Sequence, residues 1–388
     1  MRSPCTLAVA ALLVLSAAVA GEPAGTEAAA PAPATSAQPA GKFQPKGPLA
    51  ALPSGAEGPH IGKIRALADD QWLNLGQPAA DPVWGQRRGA RWTPRMAYAA
   101  ELRAAFVTGA GAHDVAHTRN GELHFDDDIF AYDINAHRWV CVYPGANCKA
   151  LKLRLDDRGM EVDEQGKGVP VAFAAHGYNT YTYDPDGHRF VCMPCMGFGR
   201  TPIPQRAEWL GSDPKNPLGK LNRSPKHPVI YDLGAGRLER RYVDGTGPGP
   251  KYFEGLAEYI PSRKQVFYLY RSEVWFYDLA GNRWTEARAP KWIDPKTGKE
   301  VAATGYDCTA CLDTKRERVY TSEGEHFLYY DVKGKAWSSP KDFRPPVTLG
   351  GGRGETMTYD SVNDVIVLNV YDKGDIRGGE KKGLFGAF

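Results

Sequence analysis

The sequence predicts an all-β fold built from repeated four-stranded sheets, and three observations predict it. First, the 388 residues include 43 glycines and 30 prolines, a content that favours many turns. Second, aromatic residues make up 11% of the chain and gather in short alternating segments such as 128–132 (DIFAY) and 273–277 (EVWFY). Third, one short motif returns about every 50 residues, which is the signature of a repeat architecture.

The motif is centred on an aspartate: an aromatic residue comes directly before the aspartate, and a bulky residue stands six positions after it. The aspartate can accept backbone N–H bonds in a tight turn, so each copy predicts a β-hairpin. The five copies are Tyr132-Asp133 with Trp139, Tyr183-Asp184 with Phe190, Tyr231-Asp232 with Leu238, Tyr277-Asp278 with Trp284, and Tyr330-Asp331 with Trp337.

A second hairpin precedes several of these copies. An apolar strand, a charged turn and another apolar strand follow one another at 96–107, 256–268, 309–320 and 356–367. Two hairpins make a four-stranded antiparallel blade, and a ring of such blades is a β-propeller. The alternative is a sandwich of unrelated hairpins, which the five aligned copies disfavour.

The copies predict six blades, with seven as the alternative, and a ring closed by an N-terminal strand. The last copy, which begins at residue 356, has a first hairpin but no second one. The segment 71–75 (QWLNL), which contains Trp72, is typical of a lone outer strand. Its pairing with residues 365–370 would remove a free sheet edge. The blade around residues 196–245 is the weakest, because a proline-rich stretch occupies its first hairpin.

The N-terminus is typical of an export signal. One arginine precedes an apolar run that ends in Ala18-Val19-Ala20, a small-residue cleavage site. The alternative, a retained membrane anchor, needs about 20 apolar residues, which is more than this run contains. The predicted organisation is a signal peptide (1–20), an Ala/Pro-rich disordered linker (21–58), a propeller (59–372) and a flexible tail (373–388). The predicted location is secreted or periplasmic.

The repeats resemble kelch-type blades, such as those in the propeller domain of galactose oxidase. The resemblance covers roughly residues 70–372 and rests on the spacing of the Tyr-Asp and Trp positions, while Gly109 and Gly111 are the nearest match to the paired glycines of that family. Galactose oxidase uses a copper site with a cysteine cross-linked to a tyrosine. No matching set of residues is found in this sequence, so its activity is not carried over, and we predict neither a metal nor a cofactor.

Six cysteines remain after removal of the signal peptide, and an even number in an exported chain favours disulfides. Local bonds 141–148 and 192–195 are compatible with the predicted loops, whereas a 308–311 bond requires a bend in the chain. A zinc cluster and a redox role for the two C-x-x-C motifs are the alternatives. The disulfide candidates are Cys141, Cys148, Cys192, Cys195, Cys308 and Cys311.

The loops that lead into the innermost strands of a propeller gather at the mouth of its channel, where ligands bind. Their mixture of acidic, basic and aromatic side chains suits a hydroxyl-rich polymer, although solvated loop charges are the alternative interpretation. An acidic run at 126–128 and the nearby histidines 113, 117 and 124 are residue types that bind metal ions. The favoured interpretation of this segment is nevertheless a solvated loop. The candidate ligand-binding residues are Trp92, Arg95, His176, Glu254, Tyr306, Asp307, Arg353 and Glu355.

These observations predict a binding or scaffold module for an extracellular glycan or protein. The alternative is an extracellular enzyme at the same rim, either a polysaccharide lyase or hydrolase or a metal-dependent oxidoreductase, whose catalytic residues the sequence leaves unknown. A net charge of +3 is too small for a mainly electrostatic nucleic-acid binder, so no nucleic-acid partner is expected. No segment after residue 20 approaches the length of a membrane span, so none is expected after signal removal.

Overall fold

A computed structural model of the chain places the alternating aromatic segments in short antiparallel strands. Residues Phe43–Phe388 form one unit. Within it the structure describes residues 43–52, 55–68, 71, 73–88, 95–109, 116–125, 127–147, 154–157, 161–168, 177, 179–193, 226–243, 249–250, 255–270, 273–287, 293, 297–299, 309–323, 326–338, 356–371 and 383–387.

The first blade contains a small inserted hairpin. The first six strands are β1 (Ala97–Ala99), β2 (Ala104–Thr108), β3 (Ala116–Arg119), β4 (Glu122–Phe125), β5 (Ile129–Asp133) and β6 (Arg138–Tyr143). Strands β1, β2, β5 and β6 pair in that order as an antiparallel sheet, here called sheet 1. Strands β3 and β4 pair with each other and form the hairpin inserted between β2 and β5.

The second blade follows a short hairpin of two-residue strands, β7 (Arg154–Leu155) and β8 (Glu161–Val162). Its own strands are β9 (Tyr181–Asp184), β10 (Arg189–Cys192), β11 (Val229–Asp232) and β12 (Arg237–Arg240). They pair in chain order as sheet 2.

The remaining sheets also pair in chain order. Sheet 3 contains β13 (Leu256–Ile260), β14 (Gln265–Tyr270), β15 (Glu273–Asp278) and β16 (Arg283–Ala287). Sheet 4 contains β17 (Thr309–Asp313), β18 (Arg318–Glu323), β19 (His326–Asp331) and β20 (Ala336–Trp337). Sheet 5 has three strands, β21 (Thr356–Asp360), β22 (Val365–Tyr371) and β23 (Gly383–Ala387).

The described helices are short. A 3-10 helix spans Gly47–Leu49, helix α1 spans Pro59–Arg65, and a second 3-10 helix spans Ala100–Leu102. Pro59 stands at the start of α1, where its missing N–H costs no hydrogen bond. None of the described helices is long and apolar enough to cross a membrane.

The sheets follow one another as the blades of a β-propeller. Strand β1 packs beside β9, β9 beside β13, β13 beside β17, and β17 beside β21. Asn179 and Leu256 form a parallel bridge between the entrances to sheets 2 and 3. The first strands of five sheets therefore gather around one axis, and the prediction of an all-β propeller is confirmed.

A hydrophobic cluster lies between each successive pair of sheets, from sheets 1 and 2 to sheets 4 and 5. Phe106 stacks on Tyr183 across the first of these interfaces, with ring centroids 6.0 Å apart, and Phe267 contacts Tyr330 at 5.5 Å across the third. Burying one large apolar side chain contributes about 1.5–3 kcal/mol. Among the described residues no such cluster joins sheet 5 to sheet 1, and we call this position the seam.

The turns of the repeat form as the motif predicts. The Asp133 carboxylate accepts a hydrogen bond from the backbone N–H of Ala136, and the Asp278 carboxylate accepts two from residues 280 and 281. His137 and Asn282 close these turns in the left-handed region, each with φ of 50°.

The motif nevertheless marks a hairpin and not a whole blade. The copies at Asp184 and Asp232, which were expected in separate blades, lie in the two hairpins of sheet 2. Asp313 likewise accepts backbone N–H bonds in the first hairpin of sheet 4. The described residues form four four-stranded blades and the three-stranded sheet 5, so the expected six or seven blades are not confirmed.

Both ends of the described chain differ from the expectation of flexible segments. Leu49 and Leu52, in the predicted linker, are buried in the cluster between sheets 1 and 2, because their apolar side chains can leave water there. Strand β23, in the predicted tail, pairs with β22. Its position gives β22 neighbours on both edges, β21 and β23.

Ring closure by an N-terminal strand is not confirmed. Trp72 lies outside the described residues. The nearby Ala79 forms a parallel bridge with Arg138, which places this segment against the outer strand of sheet 1. The described part of the N-terminal segment therefore contacts the first blade.

Candidate functional site

A central cavity of about 630 Å³ lies between the innermost strands of the five sheets. Strands gather there because each blade turns the free edge of its first strand toward the axis. Side chains from every sheet contribute to the wall, among them Tyr98, Thr182, Glu258, Cys311 and Thr358. A cavity of this size, with polar groups in a partly apolar wall, has the dimensions of a small-ligand site.

An ion pair joins two sheets across this cavity. Arg95 precedes β1 in sheet 1, and Glu258 is the middle residue of β13 in sheet 3. Nη1 and Nη2 of Arg95 lie 2.8 and 2.9 Å from the two carboxylate oxygens of Glu258. The side chains are only 14% and 9% exposed. The hydroxyl of Tyr181 donates to the Arg95 carbonyl, which fixes the start of β1 against sheet 2.

Withdrawal from water changes the acidity of both partners. Burial raises the pKa of Glu258, and the Arg95 guanidinium offsets only part of this cost. Burial also lowers the pKa of Arg95, but the Glu258 carboxylate more than restores it, so that pKa is raised. The pair therefore combines a strong mutual attraction with a large desolvation cost.

Hydroxyl–carboxylate contacts also link neighbouring blades at the cavity wall. The hydroxyl of Tyr183 in sheet 2 donates to Glu101 in sheet 1, and His188 Nδ1 lies 2.9 Å from the same carboxylate. The hydroxyl of Tyr259 in sheet 3 donates to Asp186 in sheet 2 at 2.5 Å. Burial, followed by these hydrogen bonds to carboxylates, raises the pKa of both tyrosines. These phenols therefore act as neutral donors.

The wall also carries exposed apolar surface. Tyr98 of β1 is 53% exposed, and Met96 before it is 39% exposed, although both line the cavity. Tyr98 occupies the same position in β1 as Tyr183 in β9 and Tyr259 in β13. Each is the second-to-last paired residue of its strand. Those two tyrosines reach a carboxylate on the preceding blade, whereas Tyr98 keeps about half of its surface in solvent.

Three cysteines are described, and all three are buried free thiols. Cys141 and Cys192 lie in the cluster between sheets 1 and 2, and Cys311 lies between sheets 4 and 5 at the cavity wall. Burial raises the pKa of Cys192 to about 12, and it raises those of the other two as well. These thiols point into apolar cores, so the disulfide prediction is not confirmed for them. Their expected partners, Cys148, Cys195 and Cys308, lie outside the described residues.

The described part of the acidic segment in sheet 1 is not a solvated loop. His124, Asp127 and Asp128 are buried, and the end of β4 is held to the segment after β6 by a hydrogen bond from the Phe125 N–H to the Ala146 carbonyl. Asp128 forms a buried ion pair with Arg119. No group of three or more acidic, histidine or cysteine side chains among the described residues is arranged to hold a metal ion.

One predicted site residue, Arg95, lies in the cavity wall. The others, which the structure does not describe, are Trp92, His176, Glu254, Tyr306, Asp307, Arg353 and Glu355. Sequence reasoning missed Glu258 and Tyr98, which are strand residues and not loop residues. The available signal was an acidic residue inside the otherwise apolar strand 256–260 (LAEYI).

The comparisons with known proteins give a general likeness only. No protein-family model matches the chain, and no curated protein matches it in sequence. The structure of YjhT is similar over 82% of this chain and 88% of its own, with 10% identity and a TM-score of 0.38. An extracellular domain of the one-component system BT4673 from B. thetaiotaomicron is similar over 77% of this chain and 34% of its own, with 10% identity and a TM-score of 0.33. Neither likeness bears on function.

Proposed function

We propose that the chain is a secreted or periplasmic binding module and that its central cavity binds a segment of an extracellular glycan. The observation that carries this proposal is the half-exposed ring of Tyr98 beside the Arg95–Glu258 pair in the cavity wall. A sugar ring presents an apolar face that can stack on an aromatic side chain, while its hydroxyls bond to charged groups.

Binding is favoured over catalysis by the state of the charged groups. Arg95 and Glu258 form an ion pair with each other, and the carboxylate of Glu101 accepts bonds from Tyr183 and His188. A general base or nucleophile needs a poised group within reach of the substrate. The enzymatic alternative would require such a group, and the described wall residues supply no specific observation in its favour.

The finer features of the fold belong to the same proposal. The Tyr-Asp repeat supports a kelch-type propeller. The seam is the position where a sixth blade would stand, which supports six blades and a closure made outside the described residues. Export is supported by the charged and apolar segments of residues 1–20, and sequencing of the N-terminus after expression with that segment tests it.

A glycan array with the processed protein tests the proposed function. We expect a restricted set of glycans to bind and Tyr98→Ala to weaken binding about tenfold or more, because a stacking platform is lost. Val83→Ala, at an exposed apolar residue outside the cavity wall, is the matched control and leaves binding unchanged. An array without any bound glycan would refute the proposal in favour of a protein ligand. Equal glycan binding by Tyr98→Ala would refute the cavity wall at Tyr98 as the binding site.

A further inference from the structure

We propose that the glycan bound in the cavity carries a protonated amino group and that Glu101 is the residue that binds it. This inference rests on the proposed function and deepens it by naming a ligand class. Three observations carry it: the net negative charge of the described cavity wall, an oxygen of Glu101 that the described residues leave available, and an exposed aromatic ring on the same blade.

The described wall of the cavity has a net negative charge. Its charged side chains are Arg95, Glu101 and Glu258, which are one cation and two carboxylates. In the ion pair of Arg95 with Glu258, each of the two carboxylate oxygens faces one guanidinium nitrogen. Glu101 is therefore the charge that remains, and its described ion-pair contact is with His188 and not with a lysine or arginine.

Glu101 keeps one carboxylate oxygen available. It lies in the 3-10 helix Ala100–Leu102 directly after β1, and 22% of its side chain is exposed. Tyr183 and His188 both contact Oε1, whereas Oε2 accepts no hydrogen bond from the described residues. Burial and the bond to Glu101 raise the pKa of Tyr183, so this phenol stays neutral and leaves the carboxylate charge in place. Oε2 therefore suits an N–H donor, and a charged donor forms the stronger hydrogen bond.

An exposed aromatic ring lies on the same blade as this carboxylate. Tyr98 stands three residues before Glu101, lines the same cavity and is 53% exposed. The face of an aromatic ring attracts a cation, and proteins recognise ammonium groups with such faces. A sugar with an ammonium group therefore finds a stacking surface at Tyr98 and an opposite charge at Glu101. A neutral sugar uses only the stacking surface, and an acidic sugar is repelled by the carboxylate.

Titration calorimetry with a matched pair of ligands tests the inference. The probes are the β-1,4-linked trimers of glucosamine and of glucose, which differ by an amino group in place of a hydroxyl on each ring, at pH 6 where the amines are protonated. We expect the native protein to bind the glucosamine trimer at least about tenfold more tightly, with an affinity that falls as salt increases. Glu101→Gln abolishes this preference and leaves the affinity for the glucose trimer unchanged, because glutamine keeps an oxygen that accepts from Tyr183 and His188. Glu273→Gln, which removes the same charge from an exposed residue outside the cavity wall, is the matched control and keeps the preference.

The neutral trimer separates the charge of Glu101 from a structural role of this residue. Loss of the preference alone in Glu101→Gln supports the inference, whereas retention of the preference, or an equal loss of both affinities, overturns the role of Glu101. Equal binding of both trimers by the native protein overturns the amine inference but leaves glycan binding standing.

The glycan array decides the case in which neither trimer binds. An uncharged or acidic glycan as the ligand on the array overturns the inference, and an amine-bearing glycan supports it. An array without any bound glycan overturns the proposed function, and the inference falls with it.

Discussion

The ion pair across the cavity predicts a large and pH-dependent loss of stability when one partner is removed. In Arg95→Gln the Glu258 carboxylate stays in place with only 9% of its side chain exposed and without its cation. Removing one partner of a buried ion pair costs about 3–5 kcal/mol, because the remaining charge has lost its compensation. Since both side chains are far less than one-third exposed, solvent screening reduces this figure little.

The double variant, Arg95→Gln with Glu258→Gln, should lose much less unfolding free energy than the two single variants together. With Gln at both positions two neutral amides face each other, so we expect the double loss to fall short of the sum of the single losses by about 2 kcal/mol or more. Urea unfolding at pH 7, followed by circular dichroism, measures the free energies, and an unchanged m-value shows that the unfolding transition is the same. Arg65→Gln is the control, because its pair with Glu57 is exposed and solvent screens the attraction between the two charges.

The sign of the pH dependence follows from burial. Burial raises the pKa of Glu258 above its ordinary value of 4.5, and loss of Arg95 removes the attraction that opposes this rise. The folded variant then binds a proton more tightly than the unfolded chain does. Its deficit is therefore absent below pH 4.5, grows as the pH rises, and is complete above the folded-state pKa. A deficit below about 1 kcal/mol at pH 7, or one independent of pH, would show that the pair is not buried as described.

Three further predictions concern the rest of the fold. Leu49→Ala should lower the unfolding free energy by about 2–5 kcal/mol in urea titrations, because a fully buried side chain is truncated. Leu67→Ala, at an exposed position, should change it by less than about 0.5 kcal/mol. Small effects in both variants would mean that the N-terminal segment does not pack. The three described thiols should resist a thiol reagent in the native protein and react after denaturation, and rapid native labelling of all three would contradict their burial. Asp278→Ala should cost about 1 kcal/mol because two backbone N–H groups lose their acceptor, while Asp278→Asn retains most of the stability, and equal losses in the two variants would refute the turn assignment.

Local features of the fold could be predicted from the sequence. The hairpin at Asp278 follows from a side chain that bonds to the backbone two and three residues later, so the signal is contained in a few residues. The grouping of hairpins into blades is not local. Asp184 and Asp232 carry the same turn signal but lie in one sheet, because a hairpin does not encode which neighbour it will join.

Only one described residue of the site, Arg95, could be predicted from the sequence. Arg95 was found because it stands just before an innermost strand, where propeller loops converge. Glu258 was missed because an acidic residue in an apolar strand is typical of a solvent-facing position, and its partner lies 163 residues away in the chain. The burial of Leu49 was missed for the same reason, since a Pro/Ala-rich composition hides the few apolar residues that pack on a distant blade.

The blades differ in how many described cores they share with their neighbours. The blades with described cores on both sides are sheets 2, 3 and 4, whereas sheets 1 and 5 share such a core with one neighbour only. Local opening is easiest where buried contacts are fewest, so among the described strands amide hydrogens should exchange sooner in sheets 1 and 5 than in sheet 3. The Arg95–Glu258 contact ties sheet 1 to sheet 3. A ligand that tightens this contact would slow exchange in sheet 1, so occupancy of the cavity and stability of the first blade are coupled.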